Sequence, residues 1–246
     1  MKILITGASS GLGAELARQY AKADNELILL ARREEKLYAL RKELYEKCRS
    51  VEVIVADVTE FDSLQSKLKK IDSLDMVILN AGISLGHSSS EDYIPTISEF
   101  KKLYDVNVLS AHAVLEILLP LFKTKKSGKV VFISSLASMF SMPSSKIYSS
   151  SKRALNAYSE GVRYKYSKYG IKVVNILPGF IRSELTDKNE FNMPFILDTD
   201  VGVRKIIKAI EKNRREYIFP LRFYVFIRLL NLLPFFLREK IISSLS

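Results

Sequence analysis

The stretch KILITGASSGLGAELARQYAKA, residues 2–23, joins a short apolar run, a glycine-rich turn and a helical run. Lys2–Thr6 predicts a buried strand, because its apolar residues are consecutive. The glycines at positions 7, 11 and 13 permit a tight turn that a pyrophosphate can approach closely, with its charge against the helix N-terminus. Their spacing, Gly-x-x-x-Gly-x-Gly, differs from the Gly-x-Gly-x-x-Gly of many dinucleotide-binding turns. Strand, turn and helix in this order predict the first unit of a sheet with helical crossovers.

The same alternation continues along the chain. Helices are predicted at Phe61–Lys70, at Ile97–Phe122 and from Tyr148 to about Tyr169, and further strands at Glu26–Ala31, Val51–Ala56, Leu74–Leu79, Lys129–Ser134, Ile171–Leu177 and Tyr217–Phe219. Short strands separated by helices favour a parallel sheet with right-handed crossovers. We therefore predict an α/β, Rossmann-type, doubly wound and mostly parallel seven-stranded sheet with helices on both faces. The 246 residues fit a single domain.

Several strands are followed by residues suited to a binding edge. Asp57, Asn80, Gly82 and Ser135 each come at or just after the carboxyl end of a predicted strand. Ligands of open parallel sheets bind outside these strand ends. Each residue alone fits an ordinary turn equally well. Their joint placement favours one shared site.

The end of the second strand bears on cofactor choice. An acidic side chain about 20 residues beyond the glycine turn would bind the ribose diol of NAD, but the sequence here is Ala31-Arg32-Arg33. A guanidinium can instead bind a 2′-phosphate with two parallel hydrogen bonds. The alternative is that both arginines are solvated residues at a helix start, followed by Glu34 and Glu35. We predict NADP(H) in preference to NAD.

A candidate acid/base pair lies in the run SLASMFSMPSSKIYSSSK, residues 135–152. Tyr148 and Lys152 are four residues apart and therefore share one face of a helix. A fixed ammonium beside a phenol favours the phenolate and lowers a pKa that is ordinarily about 10. Ser135 would then hold the oxygen that receives the proton. The alternative is a surface helix with an incidental tyrosine and lysine.

Asn107 is a polar amide among apolar residues of the predicted helix 97–122. Such a group needs a hydrogen-bonding partner or has a function of its own.

Composition limits the other function classes. The formal charge is +11 and the pI is about 9.5, which permits anionic partners, but no basic run interleaved with aromatic residues predicts nucleic-acid binding. One cysteine, Cys48, precludes an internal disulfide and fits a reducing compartment. His87 and His112 lie in no motif, so no metal site is predicted. The opening apolar run is too short for a signal peptide or a membrane span, so a cytoplasmic location is expected.

Two late segments offer cover for a substrate. Residues 180–198 are irregular and carry the apolar residues Phe191, Met193, Pro194 and Phe195, which suits a substrate-covering loop. Residues 221–246 form an apolar and basic tail that is too interrupted to span a bilayer. The tail can cap the substrate pocket, pack in an oligomer, or lie at a membrane surface.

The order of these motifs resembles the classical short-chain dehydrogenase/reductase family from Thr6 to about Phe219. The turn from Gly7 to Gly13, Asp57, Asn80-Ala81-Gly82 and the set Asn107, Ser135, Tyr148 and Lys152 are similar to family motifs in the family's order. Pro178-Gly179 followed by Ser183 is similar to the family's Pro-Gly-x-x-x-Thr. Ser10 departs from the basic residue that many NADP-using members carry before the second glycine, so the preference for NADP rests on positions 31–33.

The resemblance implies a catalytic set and a cofactor site. Catalysis would use Ser135, Tyr148 and Lys152, with Asn107 helping to relay protons. Ser183 would hold the nicotinamide amide. The implied cofactor-binding residues are Gly7, Ser9, Ser10, Gly11, Leu12, Gly13, Arg32, Arg33, Asp57, Val58, Asn80, Ala81, Gly82, Tyr148, Lys152, Pro178, Gly179, Ile181 and Ser183.

The expected activity is hydride transfer between NADPH and a carbonyl/alcohol pair of a small, lipophilic molecule. Family membership names a chemistry and leaves the substrate open. Two other classes stay open: a catalytically silent dinucleotide sensor and a membrane-associated binding protein whose working part is the tail. The resemblance also implies a homodimer or homotetramer.

Overall fold

The computed structural model describes residues 1–85, 94–141, 143–187 and 193–243. Seven strands form one sheet in the order β3-β2-β1-β4-β5-β6-β7, and every adjacent pair is parallel. This arrangement confirms the predicted doubly wound fold. The strands are β1 Lys2–Thr6, β2 Glu26–Ala31, β3 Ser50–Val55, β4 Met76–Leu79, β5 Gly128–Ile133, β6 Ile171–Pro178 and β7 Glu216–Phe219.

The bounds of β1 and β2 are those predicted, and the bounds of the other five strands differ by one or two residues. The start of β4 has a clear cause. Leu74 was expected in the strand, but the carboxylate of Asp75 accepts a hydrogen bond from the backbone N–H of Lys2 at 2.8 Å. The carboxylate therefore takes the N–H of Lys2, while the backbone of Asp75 still bonds the carbonyl of Lys2 and the N–H of Lys129, and regular pairing begins at Met76.

Helices cover both faces of the sheet. They are α1 Gly11–Tyr20, α2 Glu34–Leu44, α3 Phe61–Leu68, α4 Ile97–Tyr104, α5 Ser110–Lys125, α6 Lys146–Tyr166, α7 Thr199–Glu211, α8 Leu221–Leu232 and α9 Phe235–Ser243. Helices α1, α2 and α7 bury apolar side chains against one face, and α3, α5 and α6 against the other. Because the central strands are covered on both sides, their sequences are apolar at consecutive positions.

The predicted helix 97–122 is interrupted. A π-helical turn, Asp105–Leu109, joins α4 to α5, and it contains Asn107. Such turns insert an extra residue into a helix and occur frequently at functional sites. By length and composition the stretch 97–125 is also apolar enough to cross a membrane, but 56% of its most apolar window is buried in the fold. That burial is typical of a core helix.

The tail forms two helices, α8 and α9. On α8, Ile227 and Leu230 are buried, whereas Leu229 and Leu232 are exposed. The tail therefore has an inner face in the fold and an apolar outer face. His87, and the part of the 180–198 loop that includes Phe191, lie outside the described residues.

Candidate active site

The glycine-rich turn leaves β1 at the carboxyl edge of the sheet. Gly7 and Gly11 have φ values of +67° and +51°, a conformation that side chains other than glycine rarely adopt. A Cβ on Gly13 would lie 2.2 Å from the carbonyl oxygen of Gly7. The third glycine therefore lets α1 pack against the turn. The side chain of Ser10 makes no capping bond to α1, which leaves the first N–H groups of the helix for another acceptor.

Thr6 and Asn80 fix this turn to the end of β4. The Thr6 hydroxyl accepts hydrogen bonds from the backbone N–H groups of Asn80 and Ala81, both at 3.0 Å. Asn80 Nδ2 donates to the carbonyls of Thr6 and Gly7 at 3.0 and 3.3 Å. The side-chain amide of Asn80 thus donates its hydrogen bonds to the backbone of the glycine turn. Its contribution to the site is to hold two strand ends together.

Asn107 makes a similar bridge from the π-helical turn. Its Oδ1 accepts from the backbone N–H of Ile83 at 2.8 Å, and its Nδ2 donates to the Ile83 carbonyl at 3.0 Å. Nδ2 also donates to the Ser151 hydroxyl on α6 at 3.1 Å. The expectation that this amide has partners is confirmed. It ties the segment after β4 to the helix that carries Tyr148 and Lys152.

Ser135, Tyr148 and Lys152 converge where β5 ends. The Ser135 side chain lies close enough to the Tyr148 phenol to favour its ionised form. Lys152 Nζ donates to the carbonyl of Ile133 at 3.0 Å and lies 5.8 Å from the centre of the Tyr148 ring. A Cβ on Gly82 would come within 3.4 Å of this ammonium. Glycine at position 82 therefore leaves room beside the ammonium at the strand end.

Burial governs the ionisation of this pair. It raises the pKa of the Tyr148 phenol above its usual value, and the nearby Ser135 side chain offsets only part of the rise. Burial also lowers the pKa of Lys152 to about 8. The predicted lowering of the tyrosine pKa by Lys152 is therefore wrong for this geometry. Desolvation outweighs the attraction between ammonium and phenolate.

The end of β2 carries the two predicted arginines. Arg32 lies 3.5 Å from the Asp57 carboxylate. Burial alone would raise the pKa of Asp57, but hydrogen bonds from Thr59 and the charge of Arg32 bring it below its usual value. Arg33 Nε donates to the Ser9 hydroxyl at 3.1 Å, a second guanidinium nitrogen contacts Ser10, and a third donates to Glu184 at 2.7 Å.

The segment after β6 closes the opposite side. The N–H of Gly179 donates to the carbonyl of Phe219 at 2.7 Å, which holds this segment beside the end of β7. The Ser183 hydroxyl lies 3.4 Å from the Ile181 carbonyl and 3.4 Å from the Thr186 hydroxyl. Thr186 is buried and also bonds the Ile181 and Ser183 carbonyls. Ser183 is therefore held in a tight turn over the cleft.

These strand ends surround one cleft of about 1270 Å³. Ser135 and all predicted cofactor-binding residues except Gly13 line it. Gly13 is buried behind the glycine turn, and Asn107 lies behind the wall and acts through Ile83 and Ser151. The structure thus brings the predicted site together, with these two residues as support.

A family comparison agrees with this geometry. The model of the short chain dehydrogenase family matches residues 1–193, most of the chain. The chain belongs to the short-chain dehydrogenase family. It is therefore an oxidoreductase whose fold binds a nicotinamide dinucleotide.

Relatives of this short-chain dehydrogenase extend the likeness to almost its full length. It is 35% identical over 235 residues to an uncharacterized oxidoreductase of Myxococcus xanthus, covering 94% of this chain and 92% of that protein. It is 34% identical over 219 residues to an uncharacterized oxidoreductase of Mycobacterium tuberculosis, covering 86% and 85% of the two chains.

Solved structures share the fold. A short-chain dehydrogenase from Sphingobium yanoikuyae in complex with NADPH gives a TM-score of 0.83 at 24% identity and covers 98% of this chain and 95% of that one. A short-chain dehydrogenase/reductase from Burkholderia phymatum in complex with NAD gives 0.82 at 20% identity, with 94% and 92% covered. The two neighbours hold different cofactors, so the likeness leaves the preference of this short-chain dehydrogenase to its own residues.

Sequence reasoning missed part of the cleft wall. Additional lining residues come from the turn after β6, from α8, from α4 and from the segment after β5; they include Glu184, Leu185, Thr186, Arg222, Phe223, Phe226, Ile227, Glu99, Lys102 and Phe140. Capping the substrate pocket was one of the three roles predicted for the tail, but no periodicity distinguished its inner face. Glu184 had no sequence signal, because it is 151 residues from Arg33.

Proposed function

We propose that this short-chain dehydrogenase interconverts a carbonyl and a secondary alcohol with NADP(H), with Tyr148 as the acid/base. The observation that carries the proposal is the convergence of Ser135, Tyr148 and the buried ammonium of Lys152 in the large cleft. A protein that only senses a dinucleotide has no need of a phenol kept in this setting. The silent sensor is therefore the weaker alternative.

Each polar group of this set has a separate task. In the reductive direction Tyr148 donates its proton to the substrate oxygen, and the Ser135 hydroxyl holds that oxygen in place. The raised pKa of Tyr148 keeps the phenol protonated at neutral pH, so it is ready to act as an acid. Lys152 supplies a nearby positive charge that favours the phenolate left after transfer. Asn107 keeps α6 in register with the segment after β4.

The residues around the cleft suit a nicotinamide dinucleotide. The N–H groups at the start of α1 would bind the pyrophosphate, Asp57 and Val58 the adenine, and Lys152 the nicotinamide ribose. Ser183 would hold the nicotinamide amide. When bound, the nicotinamide supplies or accepts the hydride. Arg32 and Arg33 at the end of β2, with no acidic residue at these two positions, support NADP(H) over NAD(H).

The wall of the cleft indicates a lipophilic substrate. Phe180 and Phe195 both pack against Phe223 of α8, with ring centres 5.9 and 6.4 Å apart, and Phe226 and Ile227 extend this apolar surface. Residues 180–198 and the tail from 221 are, in this proposal, covering elements of a single domain. This apolar part of the wall favours a substrate that carries hydrophobic groups, although Glu99, Lys102 and Arg222 also line the cleft.

The outer face of the tail supports a peripheral membrane contact for this otherwise cytoplasmic protein. Several apolar side chains are exposed there beside Arg228. Exposed apolar surface with basic neighbours suits an anionic lipid interface. Self-association through the same face, giving the expected dimer or tetramer, is the competing interpretation.

The acid/base assignment is tested with one pair of tyrosine variants. Tyr148→Phe is expected to abolish NADPH oxidation with ketone substrates, because the ring remains and the proton donor is removed, while NADPH binding changes by less than about twofold. Tyr104→Phe is the matched control, since Tyr104 bonds Ser150 at 3.0 Å and does not line the cleft. Wild-type turnover in Tyr148→Phe contradicts the assignment.

A further inference from the structure

Glu184 closes a group of cationic and hydroxyl donors at the start of α2. Its two carboxylate oxygens accept from Arg33 at 2.7 Å and from Lys36 at 2.5 Å. Ser10, which contacts Arg33, lies close enough to the same carboxylate to lower its pKa. The contact spans the cleft, because Glu184 lies in the turn after β6 and its partners lie at the glycine turn and after β2.

The same donors suit a phosphate monoester. Arg33 is already oriented by Ser9, and a fixed guanidinium beside an ammonium is a typical phosphate-binding pair. Two cations face one carboxylate, so a positive charge remains to be balanced. A phosphate monoester carries between about one and a half and two negative charges at neutral pH and accepts through three oxygens. It can therefore satisfy this group of donors better than Glu184 does.

The carboxylate can leave without unfolding its own turn. The turn is held by Thr186, whose hydroxyl bonds the Ile181 and Ser183 carbonyls and accepts from the Ser183 N–H. The side chain of Glu184 is 50% exposed and only extends from this turn. Release therefore breaks ion pairs that are accessible to solvent and that contribute little to folding.

We propose that Glu184 is a specificity-determining residue that competes with the 2′-phosphate of NADP(H) for Arg33, Lys36 and Ser10. The proposal rests on the proposed preference for NADP(H), and adds that an exchange of anions limits the size of this preference. NADH has no 2′-phosphate and leaves the ion pairs of Glu184 in place. The basic cluster pairs with the carboxylate when no such phosphate is bound, and the carboxylate lowers the affinity for NADPH alone.

The low pKa of Glu184 is consistent with this competition. Hydrogen bonds from Lys36 and Arg33 hold it at about 2, so the carboxylate stays charged over the whole neutral range. Mild acid therefore does not relieve the competition.

The test compares Glu184→Gln with Asp187→Asn, which removes a charge from the same turn without touching the cluster. Fluorescence titrations measure NADPH and NADH binding to each full-length variant. Glu184→Gln is expected to tighten NADPH about tenfold and to change NADH by less than about twofold, since one competing charge is removed. Asp187→Asn is expected to leave both affinities unchanged. Equal tightening of both cofactors, or weaker NADPH binding in Glu184→Gln, overturns the proposal.

A second pair of probes separates this inference from the catalytic proposal. Adenosine 2′,5′-bisphosphate and 5′-AMP differ only in the 2′-phosphate and carry no nicotinamide. Selective tightening of the bisphosphate in Glu184→Gln supports the competition even if no ketone is reduced. An unchanged ratio of the two affinities overturns the competition even if the wild-type enzyme oxidises NADPH.

Discussion

At the scale of the residue, Lys152 shows how burial and function oppose each other. Its ammonium is buried with one carbonyl partner, and burial lowers its pKa from 10.5 to about 8. Below the folded-state pKa the lysine is charged in both states, and the fold bears the cost of desolvating it. Between the folded and unfolded pKa values the folded protein releases the proton first, so its stability increases with pH.

This linkage predicts the behaviour of Lys152→Met. Wild-type stability relative to the variant should increase by about 2 kcal/mol between pH 7 and about 9.5. Urea unfolding at the two pH values measures it, because other titrating groups are common to both proteins. A difference that stays constant or falls with pH would mean that the lysine is not desolvated as the structure shows.

At the scale of the element, the packing of the glycine turn against α1 limits what can replace Gly13. A methyl group there would meet the Gly7 carbonyl oxygen at 2.2 Å, and both atoms belong to rigid backbone. Gly13→Ala is therefore expected to lower the free energy of unfolding by about 2 kcal/mol or more. Gly161 in α6 has no atom within 4 Å of such a methyl group, so Gly161→Ala should stabilise the protein by about 0.5–1 kcal/mol. Thermal unfolding measures both variants. A lower melting temperature for Gly13→Ala and a higher one for Gly161→Ala would confirm these predictions, and equal changes would contradict them.

The elements also show where sequence reasoning succeeds. The strands could be placed within two residues, because strands covered on both faces need consecutive apolar side chains. Tyr148 and Lys152 could be paired because residues four apart share a helix face. The π-helical turn at Asp105–Leu109 could not be foreseen, since it changes the hydrogen-bond register of the helix without changing its apolar pattern.

At the scale of the whole molecule, contacts between distant segments escape the sequence. Glu184 meets Arg33 only because the parallel sheet brings the ends of β2 and β6 to the same edge, and nothing in the sequence near either residue marks the other as a partner. The tail poses a related difficulty. Helix α8 is apolar around most of its circumference, so its sequence pattern does not indicate that Phe223 and Ile227 face the cleft. Its outer face is left for a partner.

That outer face leads to a prediction about the intact protein. Leu229, Leu232 and Phe236 are exposed by 60%, 78% and 68%, and none of them lines the cleft. Arg228, which does not line the cleft, lies next to Leu229 and four residues before Leu232 on α8, and the chain carries a net charge of +11. Basic residues next to exposed apolar side chains favour an anionic membrane surface, because attraction to the headgroups adds to burial of the apolar groups.

The full-length protein is therefore expected to float with vesicles that contain phosphatidylserine, and less with neutral phosphatidylcholine vesicles. The triple variant Leu229→Ser, Leu232→Ser, Phe236→Ser should stay at the bottom of the gradient and keep wild-type NADPH binding, because the inner face of α8 is unchanged. If wild-type protein and variant float equally, the tail does not mediate the contact. If the wild type does not float but elutes as a dimer in size-exclusion chromatography, and the variant elutes as a monomer, the outer face binds a second copy of the chain. Membrane binding by the outer face would bring α8 to the lipid surface. Because the inner face of α8 forms part of the apolar wall of the cleft, a lipophilic ketone could then enter the cleft from the lipid phase.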